Sequence, residues 1–292
     1  MKVIDQTPHE RQTLLFSATF PEQIQSIAER IMYKPVMVKV ESTHDNLTIE
    51  QHFYRIEDNQ GRLEALRLLL LDKQPESAVV FCNTKRETQQ VADSLLEFGF
   101  SVLALHGDLE QRDRDQMLLQ FANKSARILV ATDVAARGLD IDALDAVFNY
   151  HLAYDSEVHI HRIGRTGRAG SQGAAYSFFG ENDGYKMAMI EEALNKDIVA
   201  ATLPPLSALN KAPLQALMQT IQIDAGKKQK IHPGDIVGAL TGDNGIEFND
   251  IGKIKVTDIR AYVAVSRNVA QKAMTIITKG KLKGKSYRAW FM

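Results

Sequence analysis

The chain has 292 residues, 45% of them hydrophobic and 7% aromatic, which is long for one core and comfortable for two domains. No uninterrupted apolar run approaches the roughly 20 residues needed to span a bilayer, and the opening MKVIDQTPHERQ lacks the apolar stretch of a secretory signal, so a soluble cytoplasmic protein with no membrane partner is expected. The net charge of −1 argues against a nucleic-acid partner only on average. Residues 211–292 carry eleven Lys and three Arg against five Asp and one Glu, a net +8 that leaves −9 on the rest, and such asymmetry marks a basic module built for an acidic partner.

In chain order, the first 45 residues offer a strand (TLLFSAT), a helix (PEQIQSIAERIM) and a strand (PVMVKVE), too little for an independent core. From about residue 46, apolar strands alternate with amphipathic helices: EQHFYRI, GRLEALRLLLLDK, SAVVFCN, KRETQQVADSLLEFG and SVLALHG. The rhythm continues through the helix QRDRDQMLLQFAN, the strands ARILVATD, AVFNYH and GAAYSFF, and the helix DGYKMAMIEEALN. Strands this apolar, separated by helices, predict a mostly parallel sheet covered on both faces, with ligands at the strands' carboxyl ends. The single Cys82 lies inside AVVFCN and reads as a buried strand thiol in a reducing compartment.

A proline-rich stretch, ATLPPLSALNKAP, reads as a linker. Beyond it, LMQTIQID (strand), PGDIVGALTG (short helix), IGKIKV and IRAYVAV (strands), NVAQKAMTIIT (helix) and SYRAWFM (strand) give the order β-α-β-β-α-β. Small RNA-binding domains use this split arrangement, and so do other ferredoxin-like domains.

The run HRIGRTGRAG, from His161 to Gly170, sets Arg165 and Arg168 three apart among glycines. Permanent charge and a planar fork of donors suit such arginines to a nucleoside triphosphate, whereas an isolated RxxR is more often a solvated basic turn. Its company decides. SAT (Ser17–Thr19), VVFCNTK (Val79–Lys85), QRDR (Gln111–Arg114), ATDVAARGLD (Ala131–Asp140) and HRIGRTGRAG together resemble, in order and spacing, the later motifs of DEAD-box ATP-dependent RNA helicases. The basic module, with GKKQK before PGDIVGALTG and then GKLKGKSYR, is similar to the ribosomal-RNA-binding extension of one bacterial branch of that family.

The resemblance implies an α/β RecA-like parallel sheet, the second helicase domain, followed by a small α+β RNA-recognition-type domain. The boundaries it implies are 1–45 for a remnant of the first RecA-like domain, 46–200 for the second, 201–213 for the linker and 214–292 for the RNA-binding domain. It assigns Arg165 and Arg168 to the triphosphate as catalytic arginine fingers and Asp140 to the ribose, although a loop Asp also closes turns. It further implies that Ser17, Thr19 and His161 couple the nucleotide and RNA sites and that Thr84, Arg114 and Thr132 face the RNA backbone, with His106 and Gly107 in a turn near it. Thr84 is equally a helix N-cap, and Arg114 equally a partner of Asp113 or Asp115.

A phosphate loop and an Asp-Glu-Ala-Asp stretch, which hold ATP and Mg2+ in an intact helicase, do not occur in this sequence. The nearest string, GKLKGKS at Gly280–Ser286, is one residue short between its glycines. The chain resembles the second half of a helicase. By itself it is expected to hold neither ATP nor Mg2+ stably and to be inactive; the other reading is a non-enzymatic ribosomal-RNA-binding protein. His159 and His161 lack Cys partners, so no metal site is expected. Lys227, Lys228, Lys230, Lys281, Lys283, Lys285 and Arg288 form an electrostatic footprint for phosphate near the edge-proximal strands. Only Tyr262, Tyr287 and Trp290 offer aromatic surface there, so recognition of a structured RNA by shape and phosphate is expected. The resemblance implies a 23S ribosomal RNA hairpin of the pre-50S particle as target, and a monomer as the working form.

Overall fold

The computed structural model describes residues 4–8, 10–16, 22–38, 49–136, 144–167 and 173–292. The chain divides into two compact units, Met1–Asp45 and Asn46–Met292. In the first unit, α1 (Glu22–Ile31) forms as expected. The flanking segments, in their described parts 11–16 and 35–38, belong to no strand, and Leu14, Phe16, Val36 and Val38 stand exposed; the rest of each expected strand lies outside the described residues. A strand exists only by hydrogen bonding to a neighbour, and among the described residues these segments have none.

The second unit begins with six parallel strands: β1 (Ile49–Arg55), β2 (Ala78–Cys82), β3 (Val102–Leu105), β4 (Ile128–Thr132), β5 (Ala146–Asn149) and β6 (Gly173–Phe179). Their order across the sheet is β1-β6-β5-β2-β4-β3, and every pairing is parallel. The central strands β2, β4 and β5 are buried at every residue, so their sequences read as continuous apolar runs instead of alternating.

The intervening helices are α2 (Asn59–Lys73), α3 (Lys85–Glu97), α4 (Gln111–Ala122), the single turn α5 (Asp133–Ala136), α6 (Ser156–Ile163) and α7 (Gly184–Leu194). α2 starts where the Asp58 carboxylate accepts from the Gly61 N–H at 2.6 Å and stops at Gln74, whose φ of 46° is left-handed. Its Leu66, Leu69, Leu70 and Leu71 bury into the larger core.

The proline-rich stretch is a packed strap. The Ala201 N–H donates to the Phe53 carbonyl at 2.7 Å, Leu203 and Leu209 pack on the core, and Lys211 reaches the Asp72 carbonyl at the end of α2. Prolines there fix an extended path along the surface.

The last part of the chain forms β7 (Met218–Ile223), α8 (Pro233–Leu240), β8 (Ile251–Val256), β9 (Ala261–Ser266), α9 (Ala270–Lys279) and β10 (Ala289–Phe291). The sheet order is β10-β7-β9-β8, antiparallel throughout, with a register irregularity between Ile251 and Ile254. Alternate residues Ile221, Ile223, Ala261, Val263 and Val265 join α8 and α9 in a second core. The final strand is shorter than SYRAWFM: Tyr287 precedes it and packs on that core.

The two sheets' layers meet at a polar seam. Thr220, fully buried, bonds Ser125 at 2.7 Å and Asn123 at 3.3 Å. Arg127 donates to the Gln215 and Pro75 carbonyls, and the Met218 N–H donates to the Lys124 carbonyl.

Candidate nucleotide and nucleic-acid site

Because all six strands of the large sheet run in parallel, the residues that follow them emerge along one edge. Asn83 and Thr84 follow β2, His106 and Gly107 follow β3, Asp133 follows Thr132 at the end of β4, and His151 lies just past β5. This is the edge where parallel sheets bind ligands.

The organiser of that edge is Arg162, 2% exposed, on α6. Its Nε and Nη2 donate to the two oxygens of Asp133 at 2.6 and 2.7 Å. Nη1 donates to the His151 carbonyl at 2.7 Å and to Asn149 at 3.3 Å, and Nη2 also reaches Asn83 at 3.3 Å. The guanidinium lies 5.1 Å from the centre of the Phe81 ring. One side chain thus ties α6 to the ends of β2, β4 and β5, and α6 carries His161 and leads into Arg165.

Sequence reasoning passed over both Arg162 and α6. The signal was there: His159, Arg162 and Ile163 recur at helical spacing and are its buried face, and Asp155 caps its start, accepting from the Val158 N–H at 2.7 Å. His161 faces out. Burial pulls His159 down to about 4, with the nearby Arg162 charge adding to the effect, so it is a neutral core group at neutral pH; its Nε2 lies 3.2 Å from the Gln51 side-chain oxygen.

Arg165 is half-buried in the turn after α6, and its carbonyl accepts from the Leu144 N–H at 3.0 Å. The Thr166 hydroxyl, also buried, donates to the Leu144 carbonyl. Arg168, Asp140, Ser17 and Thr19 lie outside the described residues.

Thr84 is exposed and caps α3, its hydroxyl oxygen accepting from the Glu87 N–H at 3.2 Å; the hydroxyl proton is left for another acceptor. His106 is buried against Gln89 at 3.0 Å, so the accessible part of its turn is Gly107. Thr132 is buried, its hydroxyl 3.4 Å from the Ala135 N–H. Arg114 is half-buried on the first turn of α4 and makes no ion pair among the described residues; Asp115 accepts from Gln111 instead. Cys82 is fully buried and burial pushes its thiol up, away from nucleophilic use. Among the described residues no three His, Cys, Asp or Glu side chains converge to hold a metal, and no helix is long and apolar enough to cross a membrane.

The seven basic residues singled out in the small domain lie at one end of its sheet, in the two turns near where β7 ends and β10 begins and just before β10, while Lys253 and Lys255 stand on the edge strand β8; strands offer alternating faces, whereas turns can present consecutive cations. Lys227 and Lys228 lie in a short 3-10 turn held by the Thr257 and Asp258 carbonyls. GKLKGKS is a two-residue hairpin turn, not a strand–loop–helix cradle. Lys283 (φ 51°) and Gly284 (φ 78°) are its centre, and Leu282 and Lys285 exchange backbone hydrogen bonds of 2.8 and 3.1 Å across it. Register aligns Trp290, Gln222, Tyr262 and Lys255 in one row on the sheet face away from the helices; Tyr262 and Gln222 are buried there and Trp290 is 40% exposed.

Comparison with known proteins agrees with both halves. The helicase conserved C-terminal domain matches residues 61–170 and the DbpA RNA binding domain matches residues 220–290. The ATP-dependent RNA helicase DbpA of Escherichia coli (strain K12) is 51% identical over 286 residues, 98% of this chain and 62% of that protein. DbpA of Bacillus subtilis (strain 168) is 31% identical over 306 residues, 98% of this chain and 64% of that protein. The chain thus spans less than two thirds of the length of these relatives. Among solved structures, the E. coli DEAD-box protein SrmB, bound to regulator of ribonuclease activity A, matches with a TM-score of 0.51 and 30% identity over 57% of this chain and 96% of that one. S. cerevisiae Dbp5 bound to RNA and ADP BeF3 matches with a TM-score of 0.59 and 29% identity, over 68% of this chain and 54% of that one. A parallel sheet organised by an arginine from HRIGRTGRAG, joined to a split β-α-β-β-α-β module of the DbpA type, places this chain in the DEAD-box RNA helicase family, to which it belongs.

Proposed function

We propose that this chain supplies the RNA-handling and arginine-finger half of an ATP-dependent RNA helicase, and that its small domain anchors that half to a hairpin of the 23S ribosomal RNA in a pre-50S particle. The observation that carries the reading is the coexistence, in one chain, of the Arg162-organised carboxyl edge and a lysine-rich loop end on a separate sheet.

On this reading Arg165 and Arg168 neutralise charge building on the transferring phosphoryl group of ATP, and Asp140 holds the ribose. Ser17, Thr19 and His161 link nucleotide to RNA. Thr84, Gly107, Arg114 and Thr132 meet the RNA backbone, with His106 positioning the turn, so these contacts orient the strand without reading its sequence. ATP with Mg2+ further requires a phosphate loop and magnesium carboxylates, which this sequence does not contain. The chain alone therefore binds RNA but does not turn over ATP.

Two measurements test this. Titrating the chain with the ribosomal hairpin and with an unrelated hairpin of equal length, at several salt concentrations, should give tighter binding to the first and a steep loss with salt for both. Adding a RecA-like domain that carries a phosphate loop and DEAD motif should produce RNA-stimulated ATP hydrolysis that Arg168→Ala abolishes. Equal affinity for the two hairpins would overturn the ribosomal target. Hydrolysis that is never restored would favour a non-enzymatic RNA-binding protein.

A further inference from the structure

The seven cations of the small domain are not equivalent. Lys227, Lys228, Lys230, Lys281 and Lys285 are exposed, and among the described residues none of them pairs with a carboxylate. Arg288 is paired with Asp224 at 3.1 Å. Lys283 is the most constrained: its Nζ donates to the Lys230 carbonyl at 2.7 Å and lies 3.3 Å from an Asp235 carboxylate oxygen.

That geometry joins three separate pieces of chain. Lys283 is the first central residue of the hairpin turn, Lys230 ends the other basic loop in a left-handed conformation (φ 60°), and Asp235 lies in the first turn of α8, where the same oxygen also accepts from the His232 N–H at 2.7 Å. Two loops that between them carry Lys227, Lys228, Lys230, Lys281 and Lys285 repel each other. A contact that spans them and brings in a carboxylate opposes that repulsion. The His232 N–H and the Lys283 ammonium hold the Asp235 carboxyl below the usual carboxylate range, so it stays charged through neutral pH.

We infer that Lys283 is a positioning residue that fastens the two basic loops into one phosphate-binding surface, while the lysines around it make the phosphate contacts. The inference rests on the proposed RNA-binding function and refines it. A lysine whose ammonium is already committed to a carbonyl and a carboxylate releases no counterion from RNA, whereas each exposed lysine that meets a phosphate does.

The test is a salt series of RNA titrations with the wild type and with Lys283→Met, Lys281→Met, Lys285→Met and Asp235→Asn. Lys283→Met should lower affinity roughly tenfold, the scale of one lost charge-assisted hydrogen bond, with the slope of log affinity against log salt unchanged. Lys281→Met and Lys285→Met should make that slope shallower by about 0.7–0.9 each. Asp235→Asn sharpens the distinction: removing a negative charge near bound phosphate tightens binding if Asp235 acts through space, but weakens it if Asp235 holds Lys283. A shallower slope or unchanged affinity in Lys283→Met, or tighter binding in Asp235→Asn, overturns the inference. Hydrogen exchange without RNA separates this from failure of the functional reading. Faster exchange at the Leu282, Lys285 and Ile231 amides in Lys283→Met supports the fastening even where RNA affinity is absent, and unchanged exchange refutes it.

Discussion

Arg162 and Asp133 form a two-pronged ion pair, 2.6 and 2.7 Å, beneath the edge that carries the candidate RNA and nucleotide residues. The guanidinium is almost wholly withdrawn from water and the carboxylate side chain is 22% exposed. Such a pair is a weak source of net stability when intact, yet removing one partner leaves the other charge buried and uncompensated.

Asp133→Asn should therefore cost about 3 kcal/mol, and Arg162→Leu at least as much, because it strands the Asp133 carboxylate and leaves the His151 carbonyl, Asn149 and Asn83 without their donor. Urea unfolding with an unchanged slope would read this as a lower midpoint. A loss below about 0.5 kcal/mol for Asp133→Asn would show that water screens the pair as it does at surfaces.

The seam between the two sheets makes a separate prediction. Arg127 is buried, and its guanidinium satisfies the Gln215 and Pro75 carbonyls at 2.6 and 3.1 Å. Arg127→Ala should destabilise by about 1–3 kcal/mol through those unmet acceptors. It should also speed exchange at the Met218 amide, which donates to Lys124, and leave the amides of β2 unchanged. Equal acceleration in β2 would mean that the substitution loosens the large sheet instead of the seam.

How much of this was legible depended on whether a residue's role was local. The strand cores were readable because AVVFC and ILVAT are apolar at every position, the pattern a two-sided parallel sheet requires. Thr84 was legible as a cap because its polar atom serves an N–H three residues on. Arg162 was not, because its five hydrogen bonds reach residues at the ends of three other strands and no spacing in the sequence announces them. The lysines of the small domain were legible as a cluster, but not which of them are spent: Lys283 meets a carbonyl 53 residues away. The described parts of the two strands expected before residue 45 show the opposite: an apolar pattern without a strand, since a strand needs a pairing partner that composition cannot supply.

Thr84 offers a way to separate folding from RNA contact at one position. Thr84→Asp retains an N-cap of comparable quality, because a carboxylate accepts from the Glu87 N–H and favours the helix start. It removes the hydroxyl proton and places negative charge where the proposed RNA backbone passes. Stability should change by less than about 0.5 kcal/mol, while RNA affinity falls several-fold. Thr84→Val should do the reverse for stability, costing about 1 kcal/mol. Unchanged RNA affinity in Thr84→Asp would confine Thr84 to capping.

The pH dependence of stability should carry the mark of His159. Burial first, and the Arg162 charge second, lower it from 6.5 to about 4. The unfolded chain therefore takes up a proton that the native protein refuses. The contribution is fully present above about pH 6.5 and is lost as pH falls from there toward 4, by at most about 3 kcal/mol. His159→Gln, which cannot titrate, should flatten the urea-midpoint profile over that interval; a profile as steep as the wild type's would assign the slope to other groups.

Gly173 opens β6, and its lack of a side chain admits the arginine turn. A Cβ built there would lie 2.3 Å from the Gly167 nitrogen and 2.3 Å from the Thr166 hydroxyl oxygen. Both are parts of the turn that follows Arg165, and one is backbone, so the clash cannot be relieved by swinging a flexible side chain. The Thr166 hydroxyl is already bound to the Leu144 carbonyl, which fixes the turn from the other side. Gly173→Ala should then displace the turn or break that bond, at a cost of about 1–3 kcal/mol. When the chain is joined to a phosphate-loop domain, ATP turnover should fall further than RNA affinity. The small domain's loops are remote in the sheet topology from β6, so RNA anchoring survives. Equal loss of both would show that Gly173→Ala unfolds the unit, and retention of both would show that the turn has room the geometry denies it.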